Sequence, residues 1–476
     1  MLIFYLYLLI TLIYILMDNR QPASTFAWIF IFIIFPVFGF ILYVFFGRNW
    51  RRINKKKNLN YQFQTNRIQE MLADIMEIQQ RECAGLNSIC DEPYKKGLFE
   101  MLYKSSDSLL TSDNSIELFF SGNQKFKSLI KDLENAREFI HMEYYIWRSD
   151  KITEQIKEIL IRKAREGVEV RILYDWFGGL SMKKKYKKEL LKHKIKIRLF
   201  ANFLSLFKFH TLNYRNHRKI VVIDGRTGYC GGMNMGMEYI DGGKFDSWRD
   251  THLRLTGGSV RILNGIFTMD WYNTTREDLF EKKYFSYSEK AYTKGKAVQI
   301  VTSGPDSEQP SINHLFFTLI NSAERSIYIQ SPYMILEPSI SMALENAAMR
   351  GIDVRFIIAG IPDYKLPFWA AFTYIERLVK TGVRVYHYKK GFMHAKTVTV
   401  DSGICTVGTA NFDLRSLQLN YELTALIYDK DITKSVEEQF IKDSADSVEI
   451  RQDVFDEMIY ITRLRNSLAR LLAPIL

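Results

Sequence analysis

Cysteine is scarce in this sequence, and its few copies are not spaced as a metal site or a disulfide framework requires. The 476 residues include only Cys83, Cys90, Cys230 and Cys405, and no two of them form a C-x-x-C pair. Secreted disulfide scaffolds are much richer in cysteine, and cysteine-type zinc sites use closely spaced pairs. Both classes are therefore disfavoured, and a reducing, cytosolic setting fits the bulk of the chain best.

Signatures of metal catalysis are missing as well. The sequence contains no H-E-x-x-H and no acidic cluster of the kind that holds two metal ions, so we expect neither a metal nor another cofactor. A composition of 47% hydrophobic and 25% charged residues is that of an ordinary folded protein. Lysine and arginine exceed aspartate and glutamate by 12, which suits nucleic acid, an anionic membrane or a phosphate-bearing substrate.

Charge is nearly absent from the amino terminus, where Asp18 and Arg20 are the only charged side chains of residues 1–47. The uncharged stretches 1–17 and 21–47 are each long enough to cross a bilayer as a helix, which predicts a two-helix transmembrane hairpin. The basic run RNWRRINKKK follows directly, so the positive-inside rule places the rest of the chain on the cytoplasmic side of the cell membrane. A cleaved signal peptide is the alternative for the first stretch, but it lacks a basic n-region and a cleavage motif.

The remainder of the chain contains an internal repeat. A strand–helix–strand pattern over 135–176 recurs over 321–360, which predicts an α/β fold with mostly parallel sheets covered by helices. The predicted domains are a transmembrane hairpin at 1–47, a basic and helical linker at 48–114, a first half at 115–300, a second half at 301–450 and a C-terminal amphipathic helix at 451–476.

Each half carries the same cluster of reactive residues. The first half reads NHRKIVVIDGRTGYCGGMN (216–234), the second reads MHAKTVTVDSGICTVGTAN (393–411), and both contain H-x-K-x4-D. Two such matches in register with an independent repeat are a strong signal. The candidate catalytic residues are His217, Lys219, Asp224, His394, Lys396 and Asp401, and an asparagine (Asn234, Asn411) follows 17 residues after each histidine.

The spacing predicts which of these side chains act together. H-x-K opens a β-branched strand, and residues two apart on a strand share a face, so each imidazole should lie beside an ammonium group. Asp224 and Asp401 lie at the strand ends at an odd offset, which turns them to the other face. We therefore expect these aspartates to orient the strand ends more than to touch substrate.

Two histidines and two lysines around one cavity suit phosphodiester chemistry. One imidazole can attack phosphorus and form a covalent phosphohistidine while the other protonates the leaving alkoxide, and the roles reverse in the second step. The lysine and asparagine donors would offset charge on the non-bridging oxygens.

The paired motif resembles the phospholipase D superfamily, and the sequence around it resembles the bacterial cardiolipin synthases of that superfamily. The strings RQPASTFAWIF, HMEYYIW, WRDTHLR, IYIQSPY and GTANFDLRSLQLNYE are similar to that family, as are the two motifs themselves. The resemblance covers nearly the whole chain and is weakest over 50–110. It implies two phospholipase D-like halves packed together, behind a membrane hairpin.

The resemblance also implies roles for individual residues. It assigns His217 as the nucleophile and His394 as the general acid and base. The positions that match phosphate-contacting residues of the family are Lys219, Lys396, Asn234 and Asn411.

Further site residues are implied in the same way. Glu422, in NYE, matches an acidic residue that orients a motif histidine, and Asp250 of WRDTH is its counterpart in the first half. The halves differ where Gly232 stands in the place of Thr409, which carries a hydroxyl. We therefore expect the two phosphate sub-sites to bind unequally.

The activity implied by the resemblance is that of a membrane phosphatidyltransferase, which makes cardiolipin and glycerol from two phosphatidylglycerols. A phospholipase D-type hydrolase or another phosphatidyltransferase would use the same centre and stays open. A membrane-tethered nuclease is less favoured because the hairpin would hold it away from bulk DNA, and a lipid-binding scaffold because both motifs are intact. The expected partners are phosphatidylglycerol and anionic membrane lipid, without nucleic acid; the oligomeric state is open.

The carboxyl terminus, 459–476, predicts an amphipathic helix. Its polar face contains Arg463, Asn466 and Arg470. Two interpretations are open: the apolar face packs on the core of the second half, or it lies in a membrane interface beside the active site. That apolar face consists of Ile461, Leu464, Leu468, Leu471, Leu472 and Ile475.

Overall fold

A computed structural model describes most of the chain beyond the amino-terminal region. The residues it describes are 9–10, 12–13, 15–17, 22–35, 38–39, 43, 66–73, 77, 93–200, 214–285, 295–307 and 309–472. The chain forms two compact units, one of residues 1–62 with 201–214 and one of residues 63–200 with 215–476.

The smaller unit contains helix α1, Pro22–Ile34, within the second predicted membrane stretch. Phe32 and Tyr43 are buried together, with their ring centroids 5.6 Å apart. Among the residues described, none of the helices combines the length and the apolar character needed to cross a membrane. Much of the predicted hairpin lies outside the described residues, so the two spans and their orientation stay predictions.

The larger unit alternates strands and helices throughout. Its first part contains α2 Pro93–Ser106, β1 Leu110–Phe119, α3 Gly122–Glu134, β2 Phe139–Tyr144, α4 Lys151–Arg165, β3 Glu169–Asp175, a 3₁₀ turn Gly178–Ser181, α5 Lys184–Lys192, β4 Lys196–Phe200, β5 Ile220–Ile223, β6 Thr227–Gly231, α6 Glu238–Asp241, β7 Trp248–Arg249, β8 His252–Thr256, α7 Gly258–Thr275 and a 3₁₀ turn Lys282–Tyr284. Its second part contains β9 Lys296–Ser303, α8 Ser311–Ser322, β10 Ser326–Gln330, β11 Met334–Ile335, α9 Pro338–Met349, β12 Asp353–Ala359, α10 Lys365–Lys380, β13 Arg384–Tyr388, β14 Phe392–Met393, β15 Thr397–Val400, β16 Ile404–Gly408, β17 Phe412–Asp413, α11 Leu414–Gln418, β18 Glu422–Tyr428, α12 Lys430–Ala445, β19 Ser447–Ile450, α13 Asp453–Asp456 and α14 Tyr460–Leu471.

One fifteen-stranded sheet runs through both halves, in the order β19-β13-β12-β10-β15-β16-β18-β9-β1-β8-β6-β5-β2-β3-β4. The strand order is the same on both sides of the β9–β1 contact. Moving outward, one side has β18-β16-β15-β10-β12-β13, and the other has the corresponding strands β8-β6-β5-β2-β3-β4. The prediction of an α/β fold built from two similar halves is therefore confirmed. The boundary drawn at residue 300 falls inside β9, which belongs with the second half by its place in the sheet.

The expectation of mostly parallel sheets is wrong, because the sheet is mixed. Its parallel contacts among the described strands are β2–β3, β3–β4, β10–β12 and β12–β13, each spanned by a crossover helix. The motif strands β5 and β15 instead return through tight hairpins to β6 and β16, which makes those pairs antiparallel. The hairpin turns place Asp224 (φ 53°) and Asp401 (φ 53°) in the left-handed region. The sequence pattern revealed the helix-linked pairs and the turn after each motif strand, but not the antiparallel pairing of β5 with β6 and of β15 with β16.

Candidate active site

The two motif histidines are held by backbone contacts that cross between the halves. His217 N donates to Tyr421 O (2.9 Å), just before β18 of the second half. In the mirrored arrangement, His394 N donates to Arg249 O (2.7 Å), and β14 pairs in parallel with β7 of the first half. The segment before each motif strand is therefore hydrogen-bonded to the backbone of the other half. These bonds place both histidines at the interface between the halves.

The same crossing brings a buried carboxylate to each imidazole. Glu422 Oε2 lies 2.9 Å from His217 Nδ1, and Asp250 Oδ2 lies 2.7 Å from His394 Nδ1. Both carboxylate side chains are 0% exposed. Because an ionised carboxylate only accepts hydrogen bonds, Nδ1 of each ring carries the proton and Nε2 keeps its lone pair. The sequence matched Glu422 and Asp250 to orienting roles but did not reveal that each acts on the histidine of the other half.

Thr409 supports one of these carboxylates. Its hydroxyl donates to Glu422 Oε2 (2.5 Å) and accepts from Leu423 N (2.9 Å), and the side chain is fully buried. Sequence comparison of the halves counted this hydroxyl among the substrate-binding groups. In the structure the protein engages the hydroxyl's proton and one of its two lone pairs, so a substrate contact by Thr409 stays a prediction. The halves therefore differ in the contacts of their orienting carboxylates: Glu422 accepts from the Thr409 hydroxyl, whereas Asp250 lies against Gly232, which has no side chain.

Gly232, the counterpart of Thr409, leaves room for the other carboxylate. A Cβ placed on Gly232 would lie 2.0 Å from Asp250 Oδ1, an oxygen that also accepts from Thr251 N at 2.7 Å. We expect Gly232→Ala to displace Asp250 from His394 and to lower the rate of phosphodiester transfer on the order of 10²-fold. The matched control is Gly97→Ala in α2, where an added Cβ meets nothing within 4 Å. Equal activity of the two variants would contradict the role assigned to Gly232.

The two motif lysines lie fully or almost fully buried beside the histidines. Lys219 Nζ donates to His217 O (2.6 Å), and Lys396 Nζ donates to His394 O. Burial lowers the pKa of Lys219 to about 7 and that of Lys396 to about 8, with further effects from surrounding charges. These contacts place each lysine beside its own histidine, as predicted, although both residues directly precede the regular strands β5 and β15.

The two imidazoles are shifted in the same direction. Burial lowers the pKa of both histidines, that of His394 to about 3, because desolvation outweighs the neighbouring carboxylates. For Glu422, burial raises the pKa, but His217 and Lys219 outweigh it and the net pKa is lowered. Both imidazoles are therefore neutral, and that of His217 lies on an ionised Glu422, which is the state a nitrogen nucleophile requires.

An anion that enters this site should bring protons with it. A nearby negative charge favours the protonated form of lysine and histidine, so it raises their pKa values. At pH 8 we expect sulfate, a non-titrating tetrahedral anion, to bind with net uptake of about one proton, chiefly on Lys219 and Lys396. Calorimetry in buffers of different ionisation enthalpy measures this uptake. Sulfate binding with proton release, or the same uptake by Lys219→Met, would contradict the assignment.

Asp224 and Asp401 lie at the far ends of the motif strands. Asp224 accepts from Arg137 N, Glu138 N and Phe139 N at 2.8–2.9 Å, which ties β5 to the start of β2. Asp401 repeats this on the backbone before β10, where it accepts from Ser326 N (2.8 Å) and the two preceding amides. This is the orienting position that the odd offset predicts. Although both were counted among the candidate catalytic residues, their carboxylates act on backbone amides at the strand ends.

The two motif asparagines are partly engaged by the protein. Asn234 Oδ1 accepts from Ile146 N (3.1 Å), and its amide donates to Tyr239 OH (2.8 Å). Asn411 donates to Asp413 Oδ2 (3.0 Å). Each side-chain NH₂ group has two N–H donors, so phosphate contact through the second N–H stays a prediction for both.

Two aromatic rings to which the sequence assigned no role lie beside the motif histidines. The Tyr145 ring centroid lies 5.0 Å from that of His217, and the Trp248 centroid lies 5.7 Å from that of His394, both edge-on. Their strings, HMEYYIW and WRDTHLR, were part of the resemblance, and this was the available signal. Asn216, the residue before His217, is a further group to which the sequence assigned no role. Its side-chain amide donates to the buried Glu143, and its backbone N donates to Asp175 Oδ2.

Two family models match the chain. One described as "Cardiolipin synthase, PLD-like domain" matches residues 129–243 and 316–444, and thus contains both motifs. One described as "Phospholipase_D-nuclease N-terminal" matches residues 3–48, over the predicted hairpin.

Curated relatives are similar over almost their full length. The chain is 38% identical to a cardiolipin synthase of Listeria monocytogenes serotype 4a (strain HCC23) over 471 residues, 97% of this chain and 95% of that one. It is 38% identical to a cardiolipin synthase of Clostridium perfringens (strain 13 / Type A), with 96% and 95% of the two chains covered. Among solved structures, phosphatidylserine synthase of Haemophilus influenzae Rd KW20 has a TM-score of 0.60 at 15% identity, covering 80% of this chain and 100% of that one. That last likeness concerns the fold alone.

Proposed function

Because the chain belongs to the cardiolipin synthase family of phospholipase D-like proteins, we propose that it is a membrane-associated phosphatidyltransferase that makes cardiolipin and glycerol from two phosphatidylglycerols. The observation that carries the proposal is the crossed pair of carboxylate–imidazole contacts, His217 with Glu422 and His394 with Asp250. Two oriented imidazoles are what a two-step transfer through a covalent intermediate requires.

In the first step, His217 Nε2 attacks the phosphorus of one phosphatidylglycerol. A P–N bond forms, the P–O bond to the headgroup glycerol breaks, and His394 gives its proton to the departing oxygen, so that free glycerol leaves. The negative phosphodiester raises the low pKa of His394 and so supports its protonation. Glu422 stabilises the positive charge that the His217 ring acquires as a phosphohistidine.

In the second step, a headgroup hydroxyl of another phosphatidylglycerol attacks the same phosphorus. His394, now neutral, takes the proton of that hydroxyl while the P–N bond to His217 breaks. The new phosphodiester joins the two lipids as cardiolipin, and both histidines return to their starting state. Throughout, Lys219 and Lys396 offset charge on the non-bridging oxygens, with second N–H groups of the motif asparagines as further donors.

Supplying phosphatidylglycerol to the detergent-solubilised full chain in EDTA tests the proposal. We expect cardiolipin and glycerol in equal amounts, because each transfer joins two lipids and releases one glycerol. EDTA should not lower the yield, since neither proposed step uses a metal. Phosphatidic acid without cardiolipin would identify a phospholipase D-type hydrolase, and cleavage of added DNA a nuclease; either result would overturn the proposal. A cardiolipin yield that requires a second lipid, such as phosphatidylethanolamine, would identify another phosphatidyltransferase.

We propose further that residues 1–47 cross the cell membrane twice and leave the catalytic unit in the cytoplasm. The charge pattern supports this, since six basic residues follow the second stretch, as does the match of residues 3–48 to an N-terminal family model. Protease treatment of sealed inside-out vesicles should digest the catalytic unit, whereas right-side-out vesicles should protect it. The reverse pattern would contradict this orientation.

A further inference from the structure

Helix α14 packs on the second half through its polar face. Asn466 and Ala469 are each 2% exposed, and Arg463 reaches Glu376 on α10. The guanidinium of Arg465 lies over the Trp369 ring, 4.7 Å from its centroid. The interpretation that the apolar face of this helix packs on the core is therefore wrong.

The apolar face of α14 lies on the surface instead. Its side chains have no core to cover them, and a soluble protein rarely exposes so many large apolar residues on one helix. Arg465 stands at one edge of this face and is exposed, whereas the exposed Arg470 belongs to the opposite, polar face. The exposed fractions are 67% for Ile459, 78% for Tyr460, 74% for Ile461, 47% for Leu464, 54% for Leu468, 70% for Leu471 and 47% for Leu472.

The helix is attached close to the catalytic residues of the second half. Ala469 is buried with Ile335 and Ala370. Ile335 in turn pairs with Asp413 of β17, two residues after the motif residue Asn411. The carboxyl-terminal end of α14 is thus connected to the second motif through Ile335 and the β11–β17 pair.

The start of α10, on which α14 packs, borders the same site. Asp363, just before this helix, is among the carboxylates that act on the pKa of Lys396. Tyr364 is 64% exposed and is among the groups that raise the pKa of Tyr145, after burial as the main cause. Because the Tyr145 ring lies edge-on to His217, we take the surface around the exposed Tyr364 as the open edge of the active site.

A second exposed apolar group adjoins the first-half motif. Phe177 is 49% exposed and Leu180 is 67% exposed, both directly after β3. The last residue of β3, Asp175, accepts from Asn216 N at 2.9 Å, and Asn216 precedes His217. Apolar surface therefore lies beside both motifs.

We propose that the apolar face of α14 docks in the interfacial region of an anionic lipid bilayer and holds the open edge of the active site against the leaflet. The proposal rests on the proposed function, which requires the phosphorus of a bilayer lipid to reach buried histidines. An apolar face bordered by Arg465, with further arginines on the opposite face, matches an interface in which acyl chains lie beneath anionic phosphates. A second copy of this chain is the competing occupant and is an outcome of the test.

The variant that tests docking is Leu468→Glu combined with Leu471→Glu in the full chain. Both side chains are exposed, so the melting temperature should stay within about 2 °C of the parent. We expect transfer in phosphatidylglycerol vesicles to fall about tenfold, because charge replaces inserted leucine, whereas transfer in detergent mixed micelles stays within about twofold. Met349→Glu at the end of α9, where the methionine is 63% exposed, is the matched control and should change neither activity.

Insertion of the apolar face of α14 into the bilayer can also be measured without enzyme activity. Leu468→Trp in vesicles of brominated phosphatidylglycerol should show added tryptophan quenching relative to the parent chain, and Met349→Trp should not. Absence of added quenching, or equal loss of vesicle and micelle activity in the glutamate variant, would overturn the docking proposal. If the glutamate variant has a lower oligomeric mass than the parent and loses activity equally in vesicles and in micelles, the apolar face of α14 binds a second copy of this chain. Absence of cardiolipin from the parent in both formats would instead refute the proposed function, while the quenching still decides docking.

Discussion

Replacing either motif histidine by alanine is expected to lower the rate of cardiolipin formation about 10⁴-fold or more. His217→Ala removes the nitrogen that bonds to phosphorus, and His394→Ala removes the group that protonates the leaving glycerol and activates the second lipid. Because the steps share both residues, we expect the double variant to be no worse than either single one. The measurement is the rate of cardiolipin formation in detergent mixed micelles, alongside the melting temperature.

A suitable control for this prediction is His193→Ala, at the carboxyl end of α5. His193 is partly exposed, its Nε2 lies 3.5 Å from Arg165, and it belongs to neither motif. This variant should keep its activity within about twofold. Near-normal turnover by either motif variant would show that one histidine suffices, and the two-histidine mechanism would then be wrong.

Removing the negative charge of either orienting carboxylate is expected to cost about 10²- to 10⁴-fold in turnover. Glu422→Gln and Asp250→Asn keep the size of the side chain, but an amide can present N–H to the imidazole and so favour the wrong tautomer. Because the contacts cross between the halves, Glu422→Gln should impair His217 and Asp250→Asn should impair His394.

Phosphatidyl-p-nitrophenol separates these two effects, since its leaving group needs no proton. With this substrate Glu422→Gln should slow the initial burst of p-nitrophenolate, which reports attack by His217. Asp250→Asn should leave the burst rate within about threefold but slow the turnover that follows, since His394 then fails to activate the acceptor. A slow burst in Asp250→Asn with a normal one in Glu422→Gln would show that the roles of the two histidines are exchanged.

The local geometry of the motifs was predictable from strand periodicity. Alternation predicted that His217 lies beside Lys219 and that Asp224 turns away from both. In the structure His217 and Lys219 directly precede β5, and Asp224, in the turn after β5, accepts from the backbone at the start of β2. Such predictions succeed because the two-residue period is a property of the backbone itself.

The contacts between the halves were not predictable in this way. Nothing local to Glu422 reveals that it reaches His217, more than two hundred residues earlier. That pairing depends on how the sheet joins β9 to β1, which brings the ends of β18 and β5 together. The contact of Thr409 was missed for a different reason: its partner Glu422 lies in the same half, but the pairing of β16 with β18 was not predicted.

The carboxyl-terminal helix shows a different limit. The spacing of Leu464, Leu468 and Leu471 established that α14 has two faces, but amphipathicity does not say whether the apolar face meets protein or lipid. Packing through Asn466 and Ala469 became visible only with α10 in place, since small and polar residues form that contact.

The central claim is that the chain transfers a phosphatidyl group through a covalent bond to His217. It is tested most directly by mass spectrometry of His394→Asn, reacted with phosphatidyl-p-nitrophenol and quenched with denaturant at mildly alkaline pH, where both the phosphohistidine bond and the acyl esters survive. The account predicts a phosphatidyl adduct on the peptide that contains residue 217, because that nucleophile is intact and the step that releases it is blocked. An adduct at residue 394 of the reciprocal variant His217→Asn, with none at residue 217 of His394→Asn, would contradict the account.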